Sequence, residues 1–210
     1  MTYPIHLSTF QDGLEIYIPV EEQIKPTYEK LLSLDELTAF PFWAKLWPSS
    51  KALSQFLKNA PHLTNNKTIL EIGAGIGLPS FIIARHVSEM IISDYAPEAV
   101  CLLEKNIQYL ELNRVKAMCI DWNKLPADIK ADVLLLSDIN YAPDQFESLF
   151  KLISQFLKQN TTVIIATPQR ITTSQFAALI QPYIKDTILY KITEKQEQAE
   201  IIIFLLSINC

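Results

Sequence analysis

"ILEIGAGIG", residues 69–77, gathers Gly73, Gly75 and Gly77, three of the four glycines in a chain of 210 residues. A short apolar run ends in this turn, and Leu78, Phe81, Ile82 and Arg85 follow at helical spacing. A strand, a glycine turn and a helix in that order form the opening of a βαβ unit. In sheets built from such units, ligands bind beyond the carboxyl ends of the strands, where strand order reverses. Glycine tolerates dihedrals that other residues avoid and lets a ligand approach the main chain closely. Residues 73–77 are therefore the expected seat of a ligand. The competing reading, a tight structural turn, explains one glycine better than three alternate ones.

Working outward, apolar runs alternate with helical patterns. "KTILEIG", "EMIISD", "VKAMCID", "ADVLLLSD" and "TTVIIAT" read as buried strands. Between them lie Val100, Leu103, Ile107 and Leu110 at near-helical intervals. Phe146, Leu149, Phe150, Ile153, Phe156 and Leu157 then make one continuous helical face, and Phe176, Leu179, Ile180, Tyr183 and Ile184 make another. "DTILYKIT" and "AEIIIFLLSI", joined by the polar "EKQEQ", close the chain; two strands joined so directly pair antiparallel if they are neighbours. The expectation is an α/β fold: a Rossmann-like, doubly wound, seven-stranded, mostly parallel sheet with an antiparallel C-terminal strand and helices on both faces.

Upstream, "WPSSKALSQFLKNA" reads as a helix with Pro48 in its first turn and Leu53, Phe56, Leu57 and Ala60 facing the core. "IHLSTFQDGLEIYI" reads as a hairpin turning at Gln11-Asp12-Gly13. The domain expectation is an N-terminal embellishment at 1–40 and a ligand-binding domain at 41–210.

The totals narrow the function classes. Net charge is −5 without a basic block, which disfavours nucleic acid as a partner. The N-terminus lacks a basic start followed by an apolar run, and "IIIFLLSI" (201–208) is far short of the ~20 residues that span a bilayer, so no secretion signal or membrane segment is expected. Cys101, Cys119 and Cys210 form neither an even set nor a metal-binding spacing, and His6, His62 and His86 are isolated. A reducing cytoplasm and no metal site are the readings.

The glycine motif discriminates among nucleotide ligands. A dinucleotide fingerprint needs glycine where Leu78 stands, and a P-loop needs Gly-Lys-Ser/Thr where the chain has "GIGLPS". The pattern is Glu71-x-Gly73-x-Gly75-x-Gly77, with an acid and no base beside it. That favours a ligand bearing an amino group over one bearing pyrophosphate. Asp94, closing the second strand, is placed to accept ribose hydroxyls. An amino-bearing nucleoside without phosphates points to S-adenosylmethionine.

"ILEIGAGIGLPSFIIAR", "SDYAPEAVCLLEKNI", "CIDW" and "LLLSDINYAPDQFESL" together resemble the successive motifs of class I, seven-strand, S-adenosylmethionine-dependent methyltransferases. More narrowly they resemble the protein-lysine methyltransferase-like branch, also labelled nicotinamide N-methyltransferase-like. That branch is marked by a tryptophan ahead of the glycine motif, one after the third strand and D-x-x-Y after the fourth. Trp47, Trp122 and "DINY" match these marks, and the resemblance spans roughly residues 42–170. It implies that Gly73, Ala74 and Gly75, with Gly77 completing the turn, line the methionine part of the cofactor. It further implies that Glu71 helps to hold the cofactor's amino group and Asp94 its ribose, that Tyr95, Asp121 and Trp122 flank adenine, that Trp47 closes over the site, and that Ser137 sits beside the donor. Core packing is the competing reading for both tryptophans.

The reaction so implied moves a methyl group from a sulfonium to an amine, a protein lysine first and a small-molecule amine as the alternative acceptor. A lysine amine, with an ordinary pKa near ~10.4, costs about 4.6 kcal/mol to neutralise at pH 7. An ordinary carboxylate is too weak a base for that, so Asp138 is expected to accept a hydrogen bond that aims the nitrogen, with Tyr141 as a wall and second hydrogen-bonding group and Asn140 lining the acceptor channel. Capping a helix near Pro143 is the competing role for Asp138. Enzymes acting on exocyclic adenine amines carry D/N/S-P-P-Y/F here, and Ile139 and Asn140 replace both prolines. Nucleic-acid methylation and a non-catalytic cofactor-binding scaffold therefore rank below amine methylation.

Overall fold

The structure is a computed structural model that describes residues 2–34, 39–126, 128–140, 142–194 and 197–208. β1 (Ile5–Thr9) and β2 (Glu15–Pro19) form an antiparallel hairpin, followed by α1 (Glu21–Ser33) and α2 (Pro48–Asn59). The remaining elements are β3 (Thr68–Ile72), α3 (Leu78–Ile83), β4 (Glu89–Asp94), α4 (Pro97–Tyr109), β5 (Val115–Cys119), β6 (Val133–Ser137), α5 (Phe146–Lys158), β7 (Thr162–Pro168), α6 (Ile171–Ile180), β8 (Ile184–Glu194) and β9 (Glu197–Leu206).

The seven-stranded sheet has the order β5-β4-β3-β6-β7-β9-β8, parallel throughout except that β9 runs antiparallel to both neighbours. The expected Rossmann-like architecture is therefore present. β3 lies between β4 and β6, so strand order reverses at its carboxyl end, where the glycine turn begins. Side-chain alternation divides the core between the two faces. Ile69, Val133, Leu135 and Ile164 pack with α2, α3 and α4, while Leu70, Ile72, Leu134 and Leu136 pack with α5 and α6. The starts of β3 and β6 are locked in register by reciprocal bonds: Asp132 Oδ2 accepts from Thr68 N at 2.8 Å, and Thr68 Oγ1 accepts from Asp132 N at 2.9 Å.

Pro48 opens α2 as expected, and Leu53, Phe56 and Leu57 are buried. α3 is shorter than its apolar spacing suggested. Arg85 lies beyond it, exposed, and its Nη2 donates to the carbonyl of Leu110 at 3.1 Å. The hairpin turns at Gln11–Gly13, with Asp12 and Gly13 at φ of 59° and 74°. It is tied to α4 by Asn106, and its Ile16 joins the main core. α1 has no counterpart in the sequence reading, although Ile24, Tyr28 and Leu31 recur at helical spacing; Ile24 is its one buried residue and Pro26 lies inside it.

Candidate functional site

The glycine turn is shaped first by the protein's own atoms. Gly73, Gly75 and Gly77 have φ of 68°, 54° and 77°, in the left-handed region that penalises side chains. A β-carbon on Gly73 would stand 2.8 Å from Ile139 Cγ2, one on Gly75 2.9 Å from the main-chain oxygen of Trp43, and one on Gly77 2.6 Å from Leu103 Cδ2. Beside any ligand's approach, the competing reading of a tight structural turn has its own ground: the chain itself crosses closely at each glycine. The turn is anchored to β4, with Ala74 N donating to Ser93 O at 2.9 Å and Gly75 N to Asp94 Oδ2 at 2.8 Å.

Above the turn lies a cavity of about 750 Å³. Of the residues singled out in the sequence, Trp47, Gly73, Ala74, Gly75, Asp94, Tyr95, Asp121, Trp122, Ser137 and Asp138 border it. Asp94 is buried. Its Oδ1 accepts from Ala96 N at 2.9 Å and its Oδ2 from Gly75 N, and burial raises its carboxyl pKa despite these bonds. Asp121 caps the short turn that presents Trp122, its Oδ1 accepting from Asn123 N at 2.9 Å. Trp122 Nε1 is buried without a hydrogen-bond partner. Tyr95 is largely exposed at the rim. Trp47 donates through Nε1 to the carbonyl of Phe42 at 3.0 Å, and Lys45 Nζ lies 4.9 Å from the centre of its ring.

Three of the expected residues stand elsewhere, and a fourth lies outside the described residues. Gly77 is buried between α3 and α4 and does not border the cavity. Glu71 is fully buried behind the turn, also off the cavity wall. Its Oε2 accepts from Ser80 Oγ, its Oε1 has no partner, and burial pushes its carboxyl up to about 8, so it is mostly protonated at pH 7. Asn140 is buried, with neither side-chain polar atom hydrogen-bonded, and does not border the cavity. Tyr141 lies outside the described residues.

At the carboxyl end of β6, Ser137 Oγ is buried without a hydrogen-bond partner. Asp138 follows at φ 54°, its side chain only 7% exposed. The helix-capping alternative for Asp138 is not realised: the turn at Pro143–Gln145 is preceded by Ala142, and α5 begins at Phe146. Neither Asp138 oxygen is hydrogen-bonded, although Arg170 Nη2 stands 3.4 Å from Oδ1, an ion-pair distance without hydrogen-bond alignment. Burial raises the Asp138 carboxyl; the Arg170 charge and the Ser49 hydroxyl pull it back only in part.

Sequence reasoning missed Arg170 and Trp43, both on the cavity wall. Trp43 was discoverable, since "FWAKLW" is an aromatic cluster directly before α2. Arg170 had no local signal. With Asp94, Glu98, Asp121 and Asp138 set against Lys45 and Arg170, the wall carries more acid than base and suits a cationic occupant. Among the described residues no group of three or more His, Cys, Asp or Glu side chains is arranged to hold a metal, and no helix is long and apolar enough to cross a membrane.

Comparison with known proteins agrees with this architecture. The lysine methyltransferase family matches residues 28–182. The protein N-terminal and lysine N-methyltransferase of Cryptococcus neoformans is 29% identical over 152 residues, 65% of this chain and 51% of that protein. The histone-arginine methyltransferase METTL23 of Homo sapiens is 30% identical over 124 residues, 56% of this chain and 65% of that protein. The chain spans about half the length of the first of these curated relatives. Among solved structures, the N-methyltransferase NodS of Bradyrhizobium japonicum, in complex with S-adenosylhomocysteine, superposes with a TM-score of 0.61 at 13% identity, covering 84% of this chain and 97% of that one.

Proposed function

Because the chain belongs to the lysine methyltransferase family, we propose that it is an S-adenosylmethionine-dependent methyltransferase acting on an amine, with a protein lysine side chain as the first choice of acceptor. The observation that carries this reading is Asp138, a carboxylate more than nine-tenths buried at a cavity wall with both oxygens free of hydrogen bonds. A buried acceptor of this kind is costly unless a donor reaches it, and an amine N–H is such a donor.

The residues present fit the cofactor. Asp94 retains lone pairs for ribose hydroxyls beyond its two backbone bonds, Trp122 and Tyr95 stand on the wall for adenine, and Gly73, Ala74 and Gly75 line the cavity for the methionine end. When bound, S-adenosylmethionine supplies a methyl group already activated by its sulfonium, so that the N–C bond forms as the S–C bond breaks, the electron pair stays on sulfur, and the nitrogen's surplus proton goes to solvent. The chain's own task is to hold the acceptor in line and keep water out. Asp138 aims the nitrogen, with Tyr141 proposed as the second hydrogen-bonding group of the acceptor end. The relatives named above act on N-terminal amines, lysine and arginine, all protein nitrogens, which favours a protein acceptor. The proposed compartment is the reducing cytoplasm, in keeping with the exposed free thiols of Cys101 and Cys119.

The test is incubation with methyl-labelled cofactor and extract of the source cells, alongside Asp138→Ala. Protease-sensitive label that falls about 100-fold in the variant is the expected result. Label confined to small molecules would replace the protein acceptor by a metabolite. Label in nucleic acid, or a variant within a few-fold of the wild type, would overturn the reading.

A further inference from the structure

The same carboxylate poses a difficulty for amine methylation. A buried Asp138 facing the acceptor stabilises an ammonium, and an ammonium has no lone pair with which to attack. The structure contains a counterweight. Arg170 precedes α6 at the end of β7, the strand next to β6, and brings its guanidinium 3.4 Å from Asp138 Oδ1. It is not hydrogen-bonded there, so both carboxylate oxygens stay open to an incoming N–H while the pair's net charge is near zero.

We propose that Arg170 is a positioning residue: a resident cation that offsets the charge of Asp138, so that the acceptor nitrogen is received as a neutral amine and the ammonium is turned away. The proposal rests on the amine-methylating reading only for the identity of the occupant. The other charged side chains on the cavity wall are Lys45, which stacks on Trp47, Asp94 and Asp121, which are bonded to backbone amides, and Glu98 of α4. At Asp138 itself the facing groups among the described residues are Arg170 and the hydroxyl of Ser49 from α2. Arginine suits the task because it stays charged at every working pH.

The test needs neither the natural acceptor nor turnover. n-Butylammonium serves as the cationic probe and n-butanol as its neutral counterpart, with binding followed at pH 7 through the amide resonances of Ser137 and Ile139 in isotope-labelled protein. Arg170→Gln is expected to bind n-butylammonium about ten-fold more tightly than the wild type, because the repelling charge has gone and its partial exposure limits the effect. Affinity for n-butanol should stay level, and Arg170→Lys should behave as the wild type. Arg170→Met serves as a second neutral variant in case the first folds poorly. Equal affinities for n-butylammonium, no binding to either neutral variant, or an equal gain for n-butanol would each overturn the proposal. Failure of the labelling experiment would leave these equilibria untouched, so the two readings fall separately.

Discussion

The main-chain oxygen of Trp43 lies 2.9 Å from where a β-carbon on Gly75 would stand, so the segment before α2 is laid directly against the glycine turn. A backbone atom cannot swing aside as a side-chain tip can. Gly75→Ala is therefore expected to push Trp43 away as well as strain a residue at φ +54°. The predicted cost is about 2–3 kcal/mol in urea unfolding, with at least a ten-fold loss of affinity for S-adenosylhomocysteine by calorimetry. Gly13 is the control: its φ is +74°, but a β-carbon there meets nothing within 4 Å. Gly13→Ala should lose about 1 kcal/mol and no affinity. Equal losses in the two variants would show that dihedral strain alone explains the turn.

All three tryptophans of the chain, Trp43, Trp47 and Trp122, border the cavity above the glycine turn. Intrinsic fluorescence should therefore report cofactor binding without background from elsewhere. S-adenosylhomocysteine is expected to change the emission saturably, and NAD is not. Trp122 adds a sharper expectation, since its buried Nε1 has no hydrogen-bond partner. Trp122→Phe removes an unsatisfied donor, so stability should change by less than about 1 kcal/mol while cofactor affinity falls several-fold. A large stability loss at unchanged affinity would return Trp122 to the role of core packing.

Much of this could be read in the sequence because it is periodic or local. The seven strands, the β8–β9 pair and the inward faces of α2 and α5 follow from apolar spacing, and Gly13 announced the hairpin turn. What escaped depends on contacts between distant segments. The charge of Arg170 meets Asp138 only because β6 and β7 are neighbours, and no spacing rule relates those two positions. Gly77 looked like part of a ligand cradle, but Leu103 of α4 packs against it. Glu71 looked like a ligand for an amino group; its place in β3 turns it toward α3, where the Ser80 hydroxyl meets it. α1 carries a narrow apolar face of Ile24, Tyr28 and Leu31 among polar residues, with Pro26 inside it, and sequence reasoning missed it.

Glu71 makes the stability of the protein depend on pH in a direction opposite to most carboxylates. Burial lifts its carboxyl from an ordinary value of 4.5 to about 8, with the Ser80 bonds opposing and the charge of Asp94 adding. The folded state therefore holds a proton that the unfolded state releases. Its contribution is full below the unfolded pKa and is lost as pH rises through the folded one, a fall of about 4 kcal/mol between pH 5 and 9. Glu71→Gln cannot release that proton. Chemical unfolding at pH 5, 7 and 9 should show the variant gaining steadily on the wild type as pH rises. Parallel curves would mean that Glu71 is ionised in the folded protein. Asp94 and Asp138, both raised by burial, add slope in the same sense to both proteins and leave the difference intact.

Asn106 holds the N-terminal hairpin to the main sheet's helical layer. It is fully buried in α4, its Oδ1 accepting from Tyr17 N at 2.7 Å and its Nδ2 donating to Tyr17 O at 2.9 Å. One side chain thus satisfies both backbone groups of a β2 residue, as a paired strand would. Beside it Lys105 Nζ lies 4.3 Å from the centre of the Tyr17 ring, and Tyr109 packs edge-on at 5.2 Å. Asn106→Ala removes both bonds and leaves the Tyr17 amide and carbonyl without their partners. The expected cost is about 2–3 kcal/mol. Hydrogen exchange should place that cost locally, with the Tyr17 amide losing protection first and the other β1–β2 amides following, while β3 and β6 stay protected. If the hairpin amides exchange as in the wild type, the burial of Ile16 alone suffices to hold β2, and the paired bonds to Asn106 are incidental to its docking.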